Sequence, residues 1–428
     1  MNVAVIGIGR IGLPLALTIA TRGHHVTGCD IDTHLVQRIT RAENPLPDEP
    51  GLDELLARTI AQGTFRATTD TQAGVASADV VLFAVRVDVD AEGRADLTHL
   101  LAAAETVAHA LKPGALCIFD TTLPVGTTRR ILAPRLQAGG RRLGHDLHVA
   151  FSPERLYMGR VLSDLTRYPK IVGGVDPEGG RLAAQFYRQT FGGEVIQLSS
   201  AEAAELSKLA EGAYRDLNIA LANELAMVAD VHGLDIAEII RAANSQPYSH
   251  IHIPGTGVGG HCIPVYPRFL MQGEGPSALS ALGRAINDSM PAYVVRRLAA
   301  LLGGLQNKRV LILGLTFRPD IAVTYHTNAV DLLRELQALG AHVQGHDPLL
   351  SPEGIASLGF QIAPEPLAGY HAAIVHSYHR SYTHLDWARL APIVVDARNA
   401  LDRTTIEAAG VRYLGVGRPP TPQPHPNP

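Results

Sequence analysis

Hydrophobic residues in the first half of the chain fall into short runs rich in β-branched side chains, separated by stretches with helical spacing. The runs predict strands at Val3–Ile6, Val26–Cys29, Val80–Val85, Leu116–Phe119 and Val149–Phe151. Strands that alternate with helices in this way form a parallel sheet covered on both faces. The pattern therefore predicts an α/β domain over residues 1–200.

The middle of the chain is helical. The pattern runs from Ala201 to His232 without a proline, and further helical patterns begin at Ile236 and span Ser277–Leu302. Between them, Pro247–Pro267 is too rich in glycine and proline for regular structure and too long for a simple turn. We expect a helical connector over residues 201–303 that contains one long loop, either functional or disordered.

A second α/β pattern follows the connector. It predicts strands at Val310–Leu313, His342–Gly345, Ala373–Val375 and Ile393–Val395, and a domain over residues 304–417. About half of the residues in 418–428 are proline, so we expect a disordered tail. The predicted fold class is α/β, with two Rossmann-like doubly wound domains joined by a long helical connector.

Composition narrows the class of protein. A chain of 428 residues exceeds what one core organises, and 46% hydrophobic residues are enough to bury several. The net charge of −4 offers no basic field to nucleic acid, and no apolar run is long enough to cross a membrane. The first ten residues are an apolar strand and lack the pattern of a signal peptide, and three cysteines, an odd number, argue against a disulfide framework. We expect a cytoplasmic protein without nucleic-acid or membrane partners.

A glycine motif lies between the first predicted strand and the first helix. It reads Gly7-Ile8-Gly9-Arg10-Ile11-Gly12. Gly7 permits a tight turn, Gly9 lets the backbone approach a pyrophosphate, and Gly12 allows close packing of helix and strand. Asp30, which ends the second strand, is placed to accept bonds from ribose hydroxyls and to repel a 2′-phosphate. The motif predicts an NAD site.

A second glycine-rich segment precedes Cys262. Its glycines are Gly255, Gly257, Gly259 and Gly260. A thiolate at Cys262 could attack an aldehyde, and exposed backbone N–H groups could stabilise the oxyanion that forms. From the residues alone, a structural cysteine is an equally good interpretation.

This loop resembles the active-site loop of UDP-glucose and UDP-N-acetylmannosamine 6-dehydrogenases, in the UDP-glucose/GDP-mannose nucleotide-sugar dehydrogenase family. Further segments match in the same order: Glu49-Pro50-Gly51-Leu52, Thr121–Thr128, Ser152-Pro153-Glu154-Arg155, Glu205-Leu206-Ser207-Lys208-Leu209, Asn218–Glu224, Asn287-Asp288 and Gly314–Asp320. They extend over almost the whole chain. The resemblance therefore covers both predicted α/β domains and the connector.

The resemblance implies a four-electron oxidation of a primary alcohol on a nucleotide sugar, using two NAD molecules in succession. Cys262 would form a thiohemiacetal and then a thioester, and Lys208 would stabilise the oxyanion. Glu154 would handle water or a proton beside the cofactor. Val85 and Thr122 would also contact the cofactor.

The resemblance also implies how the substrate, most simply a UDP-sugar, is held. Arg155, Lys208 and the loop glycines Gly255, Gly257, Gly259 and Gly260 would contact it, and Phe317 and Arg318 would cover the nucleotide diphosphate. The connector would form the core of a homodimer. No metal is expected, because His371, His376, His379 and His384 lack zinc-type spacing with cysteines and fit a solvated loop.

The chain departs from the family pattern around the reacting end of the substrate. Tyr266 replaces the aspartate after the cysteine, and Gly212 replaces an asparagine four residues after Lys208. Two arginines are replaced by Tyr248 and Tyr325. The V-P-T-P turn of the family reads Val85-Arg86-Val87-Asp88.

These departures leave three hypotheses open. Tyr266 could act with Glu154 in an ordinary 6-dehydrogenase. The scaffold could instead carry a single-hydride or redox-neutral enzyme, such as an epimerase or lyase with resident NAD, or a non-catalytic nucleotide-binding protein. Because the fingerprint, Asp30, Lys208 and Cys262 are kept, we favour a 6-dehydrogenase type with altered substrate or chemistry. At Gly212, close helix packing and room for a different substrate are both open.

Overall fold

A computed structural model describes residues 1–420, which divide into two compact units. The first comprises Met1–Glu211 and Arg268–Gly275; the second comprises Gly212–Pro267 and the chain from Pro276 onward. Within residues 1–420, no helix is both long and apolar enough to span a bilayer. Most of the predicted tail, from residue 421, lies outside the described residues.

The first unit is built on one large sheet. Its strands and the small hairpin beside it are β1 (Asn2–Ile6), β2 (His25–Cys29), β3 (Phe65–Thr68), β4 (Val80–Phe83), β5 (Asp88–Val89), β6 (Ala95–Asp96), β7 (Ala115–Phe119), β8 (Leu147–Phe151), β9 (Lys170–Gly174) and β10 (Val195–Leu198). Its helices are α1 (Gly12–Ala20), α2 (Thr33–Thr40), α3 (Leu52–Ala61), α4 (Thr71–Val75), α5 (Thr98–Ala108), α6 (Ala133–Gln137) after a π-helical turn at Thr128–Leu132, α7 (Val161–Arg167), α8 (Pro177–Phe191) and the first part of α9 (Ala201–Val231).

The eight strands of this sheet run in the order β10-β9-β8-β7-β4-β1-β2-β3, and all neighbours are parallel except β8 and β9. All five predicted strands are present. The strands β3, β9 and β10 were not predicted, because β3 and β10 include polar residues and are mostly not buried, and β9 contains two glycines. The doubly wound α/β prediction is confirmed.

Strand order places a crevice beside β1. The order in which strands are added reverses there, since β2 and β3 follow on one side of β1 and β4 and β7 on the other. Ile6 pairs with Cys29 on one side and with Phe83 on the other, so the carboxyl ends of all three strands meet at one edge. Ligands of open α/β sheets bind at such a switch point. Helix α1 starts at this edge and has all nine of its residues buried.

The second unit has connector helices and a second sheet. Its elements are the rest of α9, α10 (Ile236–Ala243), α11 (Cys262–Met271), α12 (Ala278–Leu302), β11 (Arg309–Leu313), α13 (Ala329–Ala338), β12 (His342–His346), α14 (Pro352–Ser357), β13 (Gln361–Ile362), β14 (Ala372–Val375), a 3-10 turn at Arg380–His384, α15 (Trp387–Leu390), β15 (Ile393–Asp396), α16 (Arg403–Ala408) and β16 (Arg412–Gly415). The six strands are parallel, in the order β13-β12-β11-β14-β15-β16. The second Rossmann-like domain is thereby confirmed.

The predicted irregular loop is wrong over its last six residues, which belong to α11. Pro264 is the third residue of that helix, where backbone N–H groups have no intrahelical partner, so a proline costs little there. Val265 and Phe269, one turn apart, are buried and fix one face of the helix. The remainder of α11, from Arg268, belongs to the first unit.

Candidate active site

The glycine turn after β1 leaves space for a ligand. Gly7 has a φ of +85°, and a Cβ on Gly12 would lie 1.8 Å from the carbonyl oxygen of Gly7, so neither position accepts a side chain without rearrangement. A Cβ on Gly9, in contrast, would meet no protein atom within 4 Å. Open space over Gly9 beside the N-terminus of the buried helix α1 fits a pyrophosphate.

Asp30 lies beside this turn, as predicted. One of its carboxylate oxygens accepts a hydrogen bond from the Ile8 N–H at 2.9 Å, and the other accepts from the Asp32 N–H at 3.0 Å. The carboxylate is therefore held at the mouth of the crevice. Arg10 is half-buried and pairs with Asp48 at 2.6 Å. The Arg10 side chain is thus held by an ion pair within the protein, and its contact with the cofactor stays a prediction.

Glu154 follows β8 and has a partner that the sequence did not reveal. Its carboxylate lies 2.6 Å from the Lys170 ammonium, and the two side chains are only 10% and 8% exposed. The ammonium also lies over the rings of Tyr187 and Phe191, 5.2 Å from each centroid. Glu154 is therefore one half of a buried ion pair within an aromatic cage.

A second carboxyl lies at the same edge of the sheet. Asp120 follows β7 directly and precedes the predicted cofactor residue Thr122, which is buried. The Tyr187 hydroxyl donates to one Asp120 oxygen at 2.8 Å, and the other oxygen is buried without a partner. Burial, and next the charge of Glu154, raise the pKa of Asp120 well above its ordinary value. Asp120 therefore keeps its proton to a higher pH than an ordinary aspartic acid does.

The Thr121–Thr128 segment is attached to both α9 and the cofactor edge. The Thr121 hydroxyl donates to the backbone carbonyl of Val85, a predicted cofactor residue. Glu205 on α9 is fully buried and accepts from the N–H of Gly126 and from the Thr128 N–H and hydroxyl. Because Lys208 is one turn further along α9, Glu205 fixes the helix that carries it.

Lys208 is 11% exposed and lies 3.7 Å from Glu211 on the same helix. Glu211 also forms an ion pair with Arg155, at 2.7 Å. The structure thus joins Lys208 and Arg155, two predicted site residues, through a carboxylate that was not predicted to have a role. The spacing of Lys208 and Glu211, three residues apart on a helix, was the available signal.

Cys262 is exposed and is the first residue of α11. Several amides of the preceding loop are already used within the protein. The Gly255 N–H donates to the Asn223 side chain at 2.9 Å, and the Gly260 N–H donates to the Tyr325 carbonyl at 2.8 Å. These two amides therefore cannot donate to an oxyanion as well.

Tyr266 lies one turn after Cys262 on α11 and packs against Gly212. A Cβ on Gly212 would lie 3.0 Å from the Cβ of Tyr266 and 3.3 Å from a ring carbon. The ring also meets His261 edge-on, with centroids 6.2 Å apart. Of the two explanations for Gly212, the contact supports close helix packing. The two departures from the family pattern are therefore a matched pair.

Phe317 closes over the glycine loop within the second unit. A Cβ on Gly260 would lie 2.9 Å from the Phe317 ring, and one on Gly259 would lie 2.9 Å from the His326 carbonyl. Gly257, at φ +89°, would meet the Asn287 carbonyl at 2.7 Å. Arg318 lies over the Phe317 ring at 5.9 Å. These three loop glycines are thus required by packing against α12 and the C-terminal domain.

The predicted solvated histidine loop is wrong for two of its members. His376 and His379 are buried. His376 contacts the Gly314 carbonyl at 3.0 Å, and His379 contacts the Asp347 carboxylate at 3.0 Å. They follow the carboxyl end of β14, and a pattern of polar residues cannot distinguish such a buried position from a surface turn. Among residues 1–420, no group of three or more His, Cys, Asp or Glu side chains could hold a metal.

Three family models match the chain in order. They are the NAD binding domain of the UDP-glucose/GDP-mannose dehydrogenase family over residues 1–191, its central domain over 202–283 and its UDP binding domain over 311–403. The chain belongs to the UDP-glucose/GDP-mannose dehydrogenase family. It is an NAD-dependent oxidoreductase of the nucleotide-sugar dehydrogenase class, and NAD is its cofactor.

Relatives within this dehydrogenase family cover nearly the whole chain. An NDP-N-acetyl-D-galactosaminuronic acid dehydrogenase of Ralstonia solanacearum is 35% identical, over 93% of this chain and 95% of its own. A UDP-N-acetyl-D-mannosamine dehydrogenase of Pyrococcus horikoshii is 31% identical, over 98% and 99%. The solved structure of a UDP-D-ManNAc dehydrogenase from Pyrococcus horikoshii has a TM-score of 0.88, at 30% identity over 98% and 99% of the two chains.

Proposed function

We propose that this dehydrogenase oxidises the C6 hydroxymethyl group of a UDP-linked sugar to a carboxylate through a thioester on Cys262. The observation that carries the proposal is the contrast among the three cysteines. Burial raises the pKa of Cys29 to about 12 and also raises that of Cys117, whereas Cys262 is exposed at the start of a helix. Cys262 is therefore the thiol suited to act as a nucleophile.

The chain supplies binding, charge and proton transfer. The turn at Gly7–Gly12 and Asp30 would hold NAD, which supplies hydride acceptance when it is bound. Cys262 adds to the C6 aldehyde, and the Lys208 ammonium stabilises the oxyanion. Glu154, fixed by Lys170, accepts a proton from the water that cleaves the thioester. Phe317 and Arg318 cover the nucleotide diphosphate.

We propose that the sugar is a 2-acetamido hexose. The Ralstonia and Pyrococcus relatives are named for N-acetylgalactosaminuronic acid and N-acetylmannosamine. The pairing of Tyr266 with Gly212 gives this chain an aromatic ring one turn from Cys262, where the family pattern has a carboxylate. A phenol is a weak base at neutral pH. The change therefore affects either the choice of sugar or the rate of thioester hydrolysis.

The test is the stoichiometry of NADH formation. The purified protein is incubated with NAD+ and, separately, UDP-N-acetylmannosamine, UDP-N-acetylgalactosamine, UDP-N-acetylglucosamine, UDP-glucose or GDP-mannose. We expect two NADH per sugar consumed and a uronic acid product. A ratio of one or zero with turnover would support the single-hydride or redox-neutral alternative, and no turnover would support nucleotide binding alone. Cys262→Ser should abolish acid formation, while Cys29→Ala, the control, should not.

We propose that the active form is a homodimer in the cytoplasm, whose reducing environment suits three unpaired cysteines. Tyr214, Leu221 and Val228 recur every seven residues on α9 and are 56%, 47% and 50% exposed. Leu279 and Leu282 on α12, in the same unit, are also exposed. Apolar side chains repeated in this way favour association with a second helix pair, and a second copy of the chain supplies one.

Light scattering during gel filtration tests the dimer. The wild-type chain should elute with twice the mass of 45.7 kDa, and Leu221→Glu should elute as a monomer. Leu349→Glu is the control, because Leu349 is similarly exposed in the C-terminal domain. A wild-type monomer, or a dimer that survives the substitution at Leu221, would overturn this assignment.

A further inference from the structure

Glu211 links two side chains that have predicted roles at the site. One of its oxygens forms an ion pair with the Arg155 Nε at 2.7 Å, and the other lies 3.7 Å from the Lys208 Nζ. Arg155 is 29% exposed, Glu211 37% and Lys208 11%. The contact of the Glu211 carboxylate with the Arg155 guanidinium is therefore close, and its contact with the Lys208 ammonium is longer.

Lysine is rare in this chain. Only four of the 37 basic residues are lysines: Lys112, Lys170, Lys208 and Lys308. Two of the four, Lys170 and Lys208, are largely buried and lie beside Glu154 and Glu211 respectively. A compact ammonium on a flexible stem can shift by about an ångström toward a new charge, whereas a planar guanidinium keeps its fork geometry. Lysine at 208 fits a group that must move.

We propose that Glu211 is a positioning residue for Lys208, and that Arg155 acts by holding Glu211. The proposal rests on the proposed function, in which the Lys208 ammonium stabilises an oxyanion. Between turnovers the ammonium is held near the Glu211 oxygen, and the contact at 3.7 Å is loose enough to yield to an oxyanion. Arg155 prevents the carboxylate from following. The charges of the three side chains sum to one positive charge, which favours an anionic intermediate.

The first experiment compares two glutamates on the same helix. Glu211→Gln keeps the shape of the side chain and an acceptor for Arg155 but removes the charge. We expect kcat to fall about fivefold, the scale of a partly exposed ion pair, with KM for the nucleotide sugar unchanged. Glu202→Gln is the matched control, because Glu202 pairs with Arg129 on the surface at 2.5 Å. An equal fall in both variants, or an effect on KM alone, would overturn the proposal.

A double-mutant cycle separates the two roles of Arg155. If Arg155 acts through Glu211, Arg155→Gln should lower kcat in the wild-type background but have no further effect in Glu211→Gln. If Arg155 binds the substrate directly, its substitution should raise KM equally in both backgrounds, which would overturn the supporting role.

A spectroscopic measurement does not depend on turnover. Biosynthetic labelling at lysine Cε gives four side-chain signals, and Lys208→Arg assigns the one that matters. Glu211→Gln should move the Lys208 signal, and Glu202→Gln should leave it in place. An unmoved signal would overturn the proposal even if the protein is active. A moved signal without any NADH formation would instead reject the proposed function and keep the contact.

Discussion

The two glycine-rich segments have similar composition, and their glycines serve opposite purposes. At Gly9, a side chain would meet nothing within 4 Å, so the space above the turn is free. At Gly257, Gly259 and Gly260, a Cβ would lie 2.7–2.9 Å from carbonyl oxygens or from the Phe317 ring. The first segment keeps space for a ligand, whereas the second uses its glycines to pack against its own domain.

A run of glycines before a candidate nucleophile therefore does not by itself indicate an amide-lined ligand site. The Gly260 N–H is bonded to Tyr325, and the Thr256 N–H is bonded to Ala397. These two amides of the second segment are therefore already used within the protein. Four predictions test how far the contrast between free space and filled space extends.

The largest effect is expected at Gly12. A Cβ there would lie 1.8 Å from the Gly7 carbonyl oxygen, a backbone atom that cannot move away alone. Gly12→Ala should therefore destabilise the first unit by more than about 4 kcal/mol and abolish NAD+ binding. Thermal unfolding and NAD+ titration measure both, and an unchanged melting temperature would contradict the close contact between Gly7 and Gly12.

Gly9 and Gly260 should respond in opposite ways. Gly9→Ala should leave the melting temperature unchanged and weaken NAD+ binding by about tenfold, or ~1.4 kcal/mol, because the methyl group occupies ligand space. Gly260→Ala should cost about 1–2 kcal/mol for its φ of +91°, in addition to the overlap with Phe317, and leave NAD+ affinity intact. If both variants lose stability alike, the comparison fails.

Asp120 is a polar counterpart of Gly9, because one of its oxygens is buried and has no hydrogen-bond partner within the protein. Its pKa is raised in the folded protein, so the folded state keeps a proton that the unfolded chain releases above about pH 4. Stability should therefore fall as pH rises from that point until the folded group ionises as well. Asp120→Asn should remove this decline, as measured by urea unfolding across pH.

Asp79 is the matched control for that experiment. Its pairing with Lys112 lowers its pKa, although partial burial opposes the effect, so its contribution has the opposite sign. The stability it confers is present at neutral pH and is lost as pH falls through its folded pKa. Asp79→Asn should therefore lower stability at pH 7 and leave in place the decline that begins near pH 4. A decline that persists in Asp120→Asn would show that Asp120 does not cause it.

The smallest effect concerns the matched pair on α9 and α11. Gly212→Asn should destabilise the wild-type chain, because the side chain meets Tyr266 at 3.0 Å. In Tyr266→Ala the same substitution should cost less, with a coupling energy of about 1 kcal/mol by urea unfolding. Gly283→Asn is the control, since Gly283 packs against Leu217 and not against Tyr266. If the free-energy changes of the substitutions at 212 and 266 are additive, the two residues are not a matched pair.

The elements that could be predicted from the sequence are those with a regular pattern of hydrophobic residues or a motif in a recognisable position. Every predicted strand of both sheets exists, because buried parallel strands leave continuous β-branched runs, and the turn at Gly7–Gly12 follows from its position between strand and helix. The beginning of α11 was missed because prolines at 264 and 267 outweighed the buried spacing of Val265 and Phe269. A proline is tolerated in the first turn of a helix, but the sequence pattern alone does not show where that first turn begins.

Contacts between distant segments were the other gap. Lys170 is 16 residues from Glu154, and Asp120 reaches Tyr187 across 67 residues, so no motif joins them. Gly212 was recognised as unusual, but its partner Tyr266 lies on another helix. Such pairs depend on packing, which one sequence without the fold does not reveal.

The exposure of Cys262 also makes this thiol, the proposed nucleophile, easy to count with a chemical label. A maleimide dye should label one thiol per chain, since Cys29 and Cys117 are buried. Loss of labelling would then report oxidation damage or acylation directly, without a coupled assay. Stored without a reducing agent, preparations of this protein should lose dye uptake and activity in the same proportion.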